Sequence, residues 1–172
     1  MMLTGREIKR MRELERIVIE PFDPRFIEQN SYACHLGSEI IEYDAEQIDP
    51  HEGLGTVQHT IPEEGLVLEP RRFYLGSTVE CIGGLDFASE LYANLSTALC
   101  GMFIQTSAPL GHTGATICWT LEIVVTQPLR IYAGTKIAKV CFWKNFGSVR
   151  GYEGRYAGSQ SVVPSRIIMD QL

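Results

Sequence analysis

The sequence lacks the features of a membrane protein or a secreted protein. It also has no excess of basic residues. No apolar run approaches the roughly 20 residues of a membrane-spanning helix, and the first residues contain no secretory hydrophobic segment. The formal net charge is −6 and the pI is about 5.2. We therefore expect a cytoplasmic protein with neither a membrane nor a nucleic-acid polymer as partner, although a few local cations would suffice for a small phosphorylated ligand.

The sequence also has no internal repeat and no low-complexity tract. Its 172 residues are 45% hydrophobic and 21% charged, which suits one globular domain that buries a core. We predict a single domain over residues 1–172, with a helix in residues 1–15 and a carboxy-terminal arm in residues 147–172.

No compact cysteine or histidine pattern is present. The five cysteines are an odd number and lie far apart in strand-like contexts, at Cys34, Cys81, Cys100, Cys118 and Cys141. We predict buried free thiols rather than a disulfide framework or a zinc site. His51 and His59 have no ligand spacing around them, so we predict no metal site there.

Short apolar runs separated by glycine and proline make up most of the sequence. This pattern favours an all-β fold, either a distorted barrel or a double-sheet roll. Thr4 and Glu7 stand at capping-box spacing and predict a helix at the amino terminus. The polar, glycine- and proline-containing segment 44–65 predicts a surface loop.

One carboxylate interrupts the most apolar of these runs. Residues 115–125 (ATICWTLEIVV) are rich in β-branched and aromatic residues and predict a core strand. Alternation along a strand places Cys118, Thr120 and Glu122 on one face and Trp119 and Leu121 on the other. Glu122 is then either exposed on an outer sheet face or turned inward, where it would need a partner or a raised pKa.

Four stretches of the sequence are each similar to a motif of one enzyme family. Residues 93–122 align without a gap with its GRSSLARxGL segment, its TA turn and its LE strand. Residues 31–37 (SYACHLG) are similar to its SYDVxLG motif and residues 128–142 to its PVxLYxGQRIAQLxF motif. Residues 154–167 are similar to its KYxxQxxVxPSxI segment. Over nearly its whole length the chain therefore resembles the deaminase branch of the dCTP deaminase and dUTPase superfamily.

The resemblance implies a dUTPase-like trimer whose sites lie at subunit interfaces. It implies that Glu122 is the catalytic general base and acid, with the Ala108 carbonyl and the Ser107 or Ser96 hydroxyl orienting the attacking water. Magnesium would arrive with the nucleotide triphosphate, and no zinc would be required. The sequence agrees with the last point, because the H-x-E and P-C-x-x-C segments of zinc-dependent cytidine deaminases are absent.

The resemblance also supplies candidate nucleotide-binding residues. Asn94, Ser96 and Thr97 are candidate phosphate contacts, with an ordinary capped connection as the alternative, and Gln105 belongs to the same candidate set. In the arm, Arg155, Tyr156 and Gln160 are similar to phosphate-binding residues. The arm is then a lid over the nucleotide, whereas its composition alone is typical of a flexible terminus.

Four positions depart from the family pattern. Asn94, Leu95 and Leu99 stand where the family has Arg, Ser and Arg, and His112 stands at the position of an Asp of the dUTPase branch. Three functions follow as alternatives. The first is a dCTP deaminase that releases ammonia, the second a catalytically silent nucleotide-binding or regulatory homologue, and the third a dUTP pyrophosphatase with His112 as base.

Overall fold

The computed structural model describes residues 1–104 and 107–170, and most of its regular structure is β-strand. The helices are α1 (Gly5–Glu13) and α2 (Leu95–Leu99), with 3-10 helices at Pro24–Phe26 and Ile167–Asp170. The strands are β1 (Ile17–Glu20), β2 (Tyr32–His35), β3 (Glu39–Tyr43), β4 (Thr56–Thr60), β5 (Leu66–Leu68), β6 (Tyr74–Gly84), β7 (Phe87–Ala93), β8 (Met102–Ile104), β9 (Leu110–Gly111), β10 (Thr116–Val125), β11 (Leu129–Ile131) and β12 (Lys136–Lys144). The all-β prediction is confirmed.

The strands form two larger sheets and one small one. In the first sheet the order is β4-β3-β6-β10-β8, with β1 also paired to β6. The second sheet has the order β2-β12-β7-β9, and β11 pairs with β5 on its own. The buried core draws side chains from both larger sheets, including Leu36, Ile82, Leu91, Leu121, Ile123, Val140 and Phe142. The central strand β10 contributes to this core with one face, and its other face remains free to line a site.

Helix α1 begins where the sequence predicts. The Thr4 hydroxyl accepts the backbone N–H of Glu7 at 3.4 Å, which is one half of a capping box. The helix is shorter than residues 1–15, because Leu14 is its C-cap and Glu15 has a positive φ of 56°. Gly5 is required at its first turn, since a Cβ there would lie 1.9 Å from the carbonyl oxygen of Glu28.

Residues 44–65 lie largely on the surface, as predicted, but their last part contains a strand that the sequence did not predict. Strand β4 pairs antiparallel with β3, from Glu39 opposite Thr60 to Tyr43 opposite Thr56. Its side chains are mostly exposed. Because an edge strand is held by backbone bonds and need not bury apolar side chains, the hydrophobic pattern gave no sign of it.

A local irregularity shapes the pairing of β6 with β10. The register shifts between Cys118 and Thr120 of β10, and the Thr78 hydroxyl accepts the Trp119 N–H there at 2.9 Å. Beside it, Glu80 is 3% exposed and accepts the His35 N–H at 2.8 Å, with His35 Nδ1 2.6 Å from its other oxygen. His35 is therefore a packed polar residue.

The prediction of buried free thiols is confirmed for two cysteines and wrong for the other three. Cys81 and Cys118 form a disulfide, because the register of β6 and β10 places them directly opposite each other. Cys34 and Cys141 are free and buried, and burial raises the pKa of both thiols. Cys100 is free but exposed. The disulfide was not predictable from chain spacing, since its partners lie 37 residues apart.

Glu28 forms a partly buried charge cluster with β12. Its carboxylate contacts the Lys136 ammonium, lies 3.8 Å from Lys139 Nζ, and accepts the Ser31 hydroxyl at 2.9 Å. Burial acts to raise the pKa of Glu28, but the hydrogen bonds from Lys136 and Ser31 outweigh it, so the net pKa lies below 4.5. The ionised carboxylate is thus bound more favourably in the folded chain than in the unfolded one.

A Glu28→Gln variant should therefore lose stability in a pH-dependent way. A lowered folded-state pKa contributes stability above the unfolded value, and this contribution disappears as the pH falls through the folded pKa. We expect a loss of up to about 1 kcal/mol near neutral pH that shrinks below pH 4.5. Urea unfolding at neutral and acid pH measures this, with the exposed Glu63→Gln as control. An equal difference at both pH values would contradict the assignment.

Candidate active site

A cavity of about 470 Å³ lies between strand β10 and the carboxy-terminal arm. One wall is the β10 face that carries Thr120 and Glu122, and the ends of β3 and β6 add Tyr43 and Leu75. The segment 108–115 contributes another wall, and the arm closes the remaining side with Tyr152, Tyr156, Ser159, Val163, Pro164 and Ser165. Its size falls within the range of roughly 300–1,000 Å³ that is usual for small-molecule sites.

Glu122 lies in this cavity, and the alternation predicted for its strand is confirmed from residue 120 onward. Leu121 and Ile123 are buried in the core, whereas Thr120 and Glu122 line the cavity. Before the register shift the prediction is wrong, because the consecutive residues 117–119 all line the cavity. Glu122 itself is half-buried, so its side chain is neither fully exposed nor fully buried. It is the sole carboxylate among the described lining residues, and no Lys or Arg side chain is among them. Glu122 is therefore the carboxylate that a ligand bound in this cavity would meet.

His112 lies at the rim of the cavity as part of an aromatic pair. Its ring stacks on Tyr152 with the centroids 5.4 Å apart and the planes 19° from parallel. The Tyr152 N–H donates to the Thr113 carbonyl at 2.9 Å, which anchors the start of the arm. The position that carries Asp in the dUTPase branch is thus occupied here by an imidazole that packs on the arm.

The described part of the arm packs on the body of the protein instead of extending from it. The Cys118 N–H donates to the Ser159 carbonyl at 2.8 Å, and the Val163 N–H donates to the Thr120 hydroxyl at 3.1 Å. The arm thereby becomes a wall of the cavity. The flexible terminus that the composition alone favours is not what these contacts show, since they hold the described part of the arm on the body of the protein. Its role as a lid stays a prediction.

The three arm residues assigned to phosphate binding have different surroundings. Tyr156 lines the cavity, whereas Arg155 lies beside it and donates from Nη1 to the Arg166 carbonyl at 3.0 Å. Gln160 is exposed and does not line the cavity; its Oε1 lies 3.7 Å from Cys81 Sγ. Its neighbour Ser159 lines the cavity in its place.

The residues assigned to the attacking water are also separated. Ala108 lines the cavity, but Ser107 is exposed and does not contribute to its described lining. Gln105 lies outside the described residues. Of the predicted catalytic set, the structure therefore brings Glu122 and Ala108 to one cavity.

The predicted phosphate contacts on α2 face a second cavity of about 220 Å³. Ser96 and Thr97 line it together with Lys136, and Asn94 is the N-cap of α2 without a side-chain capping bond. Leu95 and Leu99, one helical turn apart, are 67% and 78% exposed. Within one chain, the residues assigned to a single nucleotide site are therefore divided between two cavities.

Several cavity residues were not found from the sequence. Tyr43 is distant in the chain and gave no signal, whereas Thr120 could have been found from its place on the Glu122 face. Trp119 is buried beside the cavity, and its indole N–H has no hydrogen-bond partner among the described residues. A buried donor without a partner costs roughly 1–3 kcal/mol, which a ligand oxygen could offset.

Residues 1–104 and 107–170 contain no group of three or more His, Cys, Asp or Glu side chains placed to share a metal ion. None of their helices has the length and apolar character needed to span a bilayer. The absence of zinc from the reaction stays a prediction.

Comparison with known proteins gives a consistent result. Residues 2–145 match the family model described as dCTP deaminase-like. A protein of Clostridium acetobutylicum named "dCTP deaminase, dUMP-forming" is 37% identical over 171 residues, covering 99% of this chain and 98% of its own. Relatives with the same name in Hathewaya histolytica and Cytophaga hutchinsonii are 36% and 33% identical, each over 99% of this chain and 99% and 98% of their own.

A solved structure supports the fold. The crystal structure of 2'-deoxycytidine 5'-triphosphate deaminase from Agrobacterium tumefaciens superposes with a TM-score of 0.66 at 19% identity. The match covers 84% of this chain and 48% of that chain, so this chain spans about half its length. Since the family model covers most of the chain and the curated relatives align over nearly its whole length, this chain belongs to the dCTP deaminase-like family.

Proposed function

We propose that the protein is a dCTP deaminase, which hydrolyses the 4-amino group of deoxycytidine triphosphate to give a deoxyuridine nucleotide and ammonia. The observation that carries the proposal is Glu122, the one carboxylate among the described residues that line a nucleotide-sized cavity. The full-length relatives named for this reaction support it. The proposed location is the cytoplasm.

In the proposed mechanism Glu122 is both base and acid. It takes a proton from water as the water oxygen bonds to C4 of the pyrimidine, which becomes tetrahedral while the C4=N3 electron pair moves to N3. Glu122 then returns the proton to the amino nitrogen, the bond from C4 to that nitrogen breaks, and ammonia leaves. The second proton of the water passes to N3 as the C4 carbonyl forms, which gives the uracil ring. The Ala108 carbonyl, at the same cavity, would orient the water, with a hydroxyl from Ser107 or Ser96 as second partner.

The nucleotide's phosphates require cations, which the described cavity lining does not supply. In the proposal magnesium arrives bound to the triphosphate, as part of the substrate. Arg155 lies in the arm next to Tyr156 and is the nearest candidate guanidinium from the predicted set. Asn94, Ser96 and Thr97 would reach the phosphates from a neighbouring copy.

We further propose a homotrimer with sites at the subunit interfaces. The division of the predicted site residues between two cavities supports this, because a second copy could bring α2 to the Glu122 cavity. The exposed Leu95 and Leu99 on α2 also favour a covered surface. Each active site would then contain residues of two chains.

The trimer proposal predicts a particle of about three times the 19.3 kDa chain mass. Light scattering after gel filtration measures this mass, and activity should fall on dilution when the particle dissociates. A monomer with undiminished turnover would contradict shared sites. A trimer without turnover would support the proposed assembly but contradict the proposed reaction.

A panel of dCTP, CTP, dCMP and dUTP, each with magnesium, tests the reaction itself. Conversion of dCTP to a deoxyuridine nucleotide with release of ammonia is expected. The relatives are named dUMP-forming, so chromatography of the product decides between dUTP and dUMP with pyrophosphate. Binding of dCTP without any product would support a silent homologue, and turnover of dUTP alone would support a pyrophosphatase that uses His112.

A further inference from the structure

We propose that the hydroxyl groups of Tyr43 and Thr120 form a latch that holds the carboxy-terminal arm over the cavity, which makes them positioning residues for the reaction. The kinetic part of this inference rests on the proposed deaminase function. The structural part, closure of the arm, does not.

Near its carboxy-terminal end, the arm is bound to the cavity wall by backbone N–H groups that donate to side-chain hydroxyl groups. The Val163 N–H donates to Thr120 Oγ1 at 3.1 Å, and the Ser165 N–H donates to the Tyr43 hydroxyl at 2.9 Å. The next N–H, of Arg166, donates to the hydroxyl of Tyr156 within the arm at 3.0 Å. Residues 163–166 belong to no strand ladder, so side-chain oxygens replace the backbone acceptors that a sheet would provide.

Thr120 connects the arm to the catalytic strand. It lies on the same face of β10 as Glu122, two residues away, and both line the cavity. A nucleotide that contacts Glu122 is therefore next to the Thr120–Val163 hydrogen bond. Closure of the arm at Thr120 would exclude water from the side of the cavity where the carboxylate acts.

Tyr43 anchors the arm from a second strand of the same sheet. It ends strand β3, which is separated from β10 by β6, and its ring stacks parallel to Phe73, with 6.4 Å between centroids and 3° between planes. Because the stacking fixes the ring, the hydroxyl is held toward the arm at little entropic cost. The two acceptors thus come from two different strands of one sheet, and both line the cavity.

The latch is suited to repeated opening. Each hydroxyl contact is one ordinary hydrogen bond that can be lost and regained as a nucleotide enters or leaves. Of the two residues that donate, Ser165 is exposed and Val163 is half-buried, so opening at these points uncovers one partly buried apolar side chain. Release of both bonds would free residues 163–166 without disturbing the sheets.

Near-isosteric variants test the latch by kinetics. Tyr43→Phe and Thr120→Val remove the acceptors while keeping ring and shape. Each should raise the KM for dCTP by roughly two- to tenfold, the factor for one hydrogen bond, with a smaller change in kcat. Thr120→Ser retains the hydroxyl and should restore the wild-type KM. Tyr92→Phe, on an exposed tyrosine outside both cavities, is the matched control.

Limited trypsin digestion tests the latch without any activity. Cleavage after Arg155 and Arg166 tracks the open population of the arm, so both variants should be cut roughly two- to tenfold faster, and nucleotide should slow cleavage in the wild type. Wild-type cleavage rates and KM in both variants would overturn the latch. If no nucleotide is turned over, the deaminase function fails, but faster cleavage of the variants still supports the latch.

Discussion

Glu122→Gln should abolish deamination while leaving nucleotide binding intact. Glutamine fills the same space in the cavity but can neither take a proton from water nor return one to the leaving amine. General acid–base catalysis typically contributes 10²–10⁴-fold, so we expect kcat to fall by about that factor. The affinity for dCTP should change little, because the remaining walls of the cavity are unaltered.

Release of ammonia and formation of deoxyuridine nucleotide measure kcat, and calorimetry of the variant with dCTP measures binding. Glu69→Gln, at an exposed glutamate outside both cavities, provides the matched control and should behave as the wild type. Turnover by Glu122→Gln within a few-fold of the wild type would mean that another group carries the chemistry.

Loss of the Cys81–Cys118 disulfide is expected to have the largest effect on stability. The bond closes a loop of 37 residues and crosslinks the central strands β6 and β10. The loop-entropy relation then predicts that the free energy of unfolding falls by about 3–4 kcal/mol when the bond is reduced or replaced by two serines. The effect should be transmitted to the arm, since the Cys118 N–H donates to Ser159.

Urea unfolding with and without a dithiol reductant measures this loss, with Cys100→Ser, at an exposed free thiol, as control. Thiol titration of the unfolded protein should find three free thiols before reduction and five after it. Five thiols before reduction would contradict the disulfide. Because cytoplasmic thiols are usually kept reduced, titration of protein alkylated at cell lysis shows which form the cell contains.

The features that sequence reasoning predicted correctly are local or carried by extended motifs. Alternation within one strand assigns the two faces of β10, so it was predictable that Glu122 points away from the buried core. The cap at Thr4 is likewise local, since its partner Glu7 is three residues away. Ala108 and Tyr156 were reached through the family resemblance, and both line the cavity.

The features that were missed depend on register or on long-range packing. The disulfide needs Cys81 and Cys118 to be opposite each other, and no spacing rule provides that register. Strand β4 has too little apolar character to be recognised, and Tyr43 reaches the cavity only because β3 pairs with β6. Gln160 was assigned by its position in a motif, whereas the arm's actual path turns Ser159 into the cavity.

The most direct measurement is a crystal structure of Glu122→Gln soaked with dCTP and magnesium. The account predicts the cytosine in the 470 Å³ cavity, its C4 amino group within about 3 Å of the residue 122 side chain, and the arm closed at Tyr43 and Thr120. A cytosine bound elsewhere, or turned with C4 away from residue 122, would contradict the assignment of Glu122 as the deaminating carboxylate.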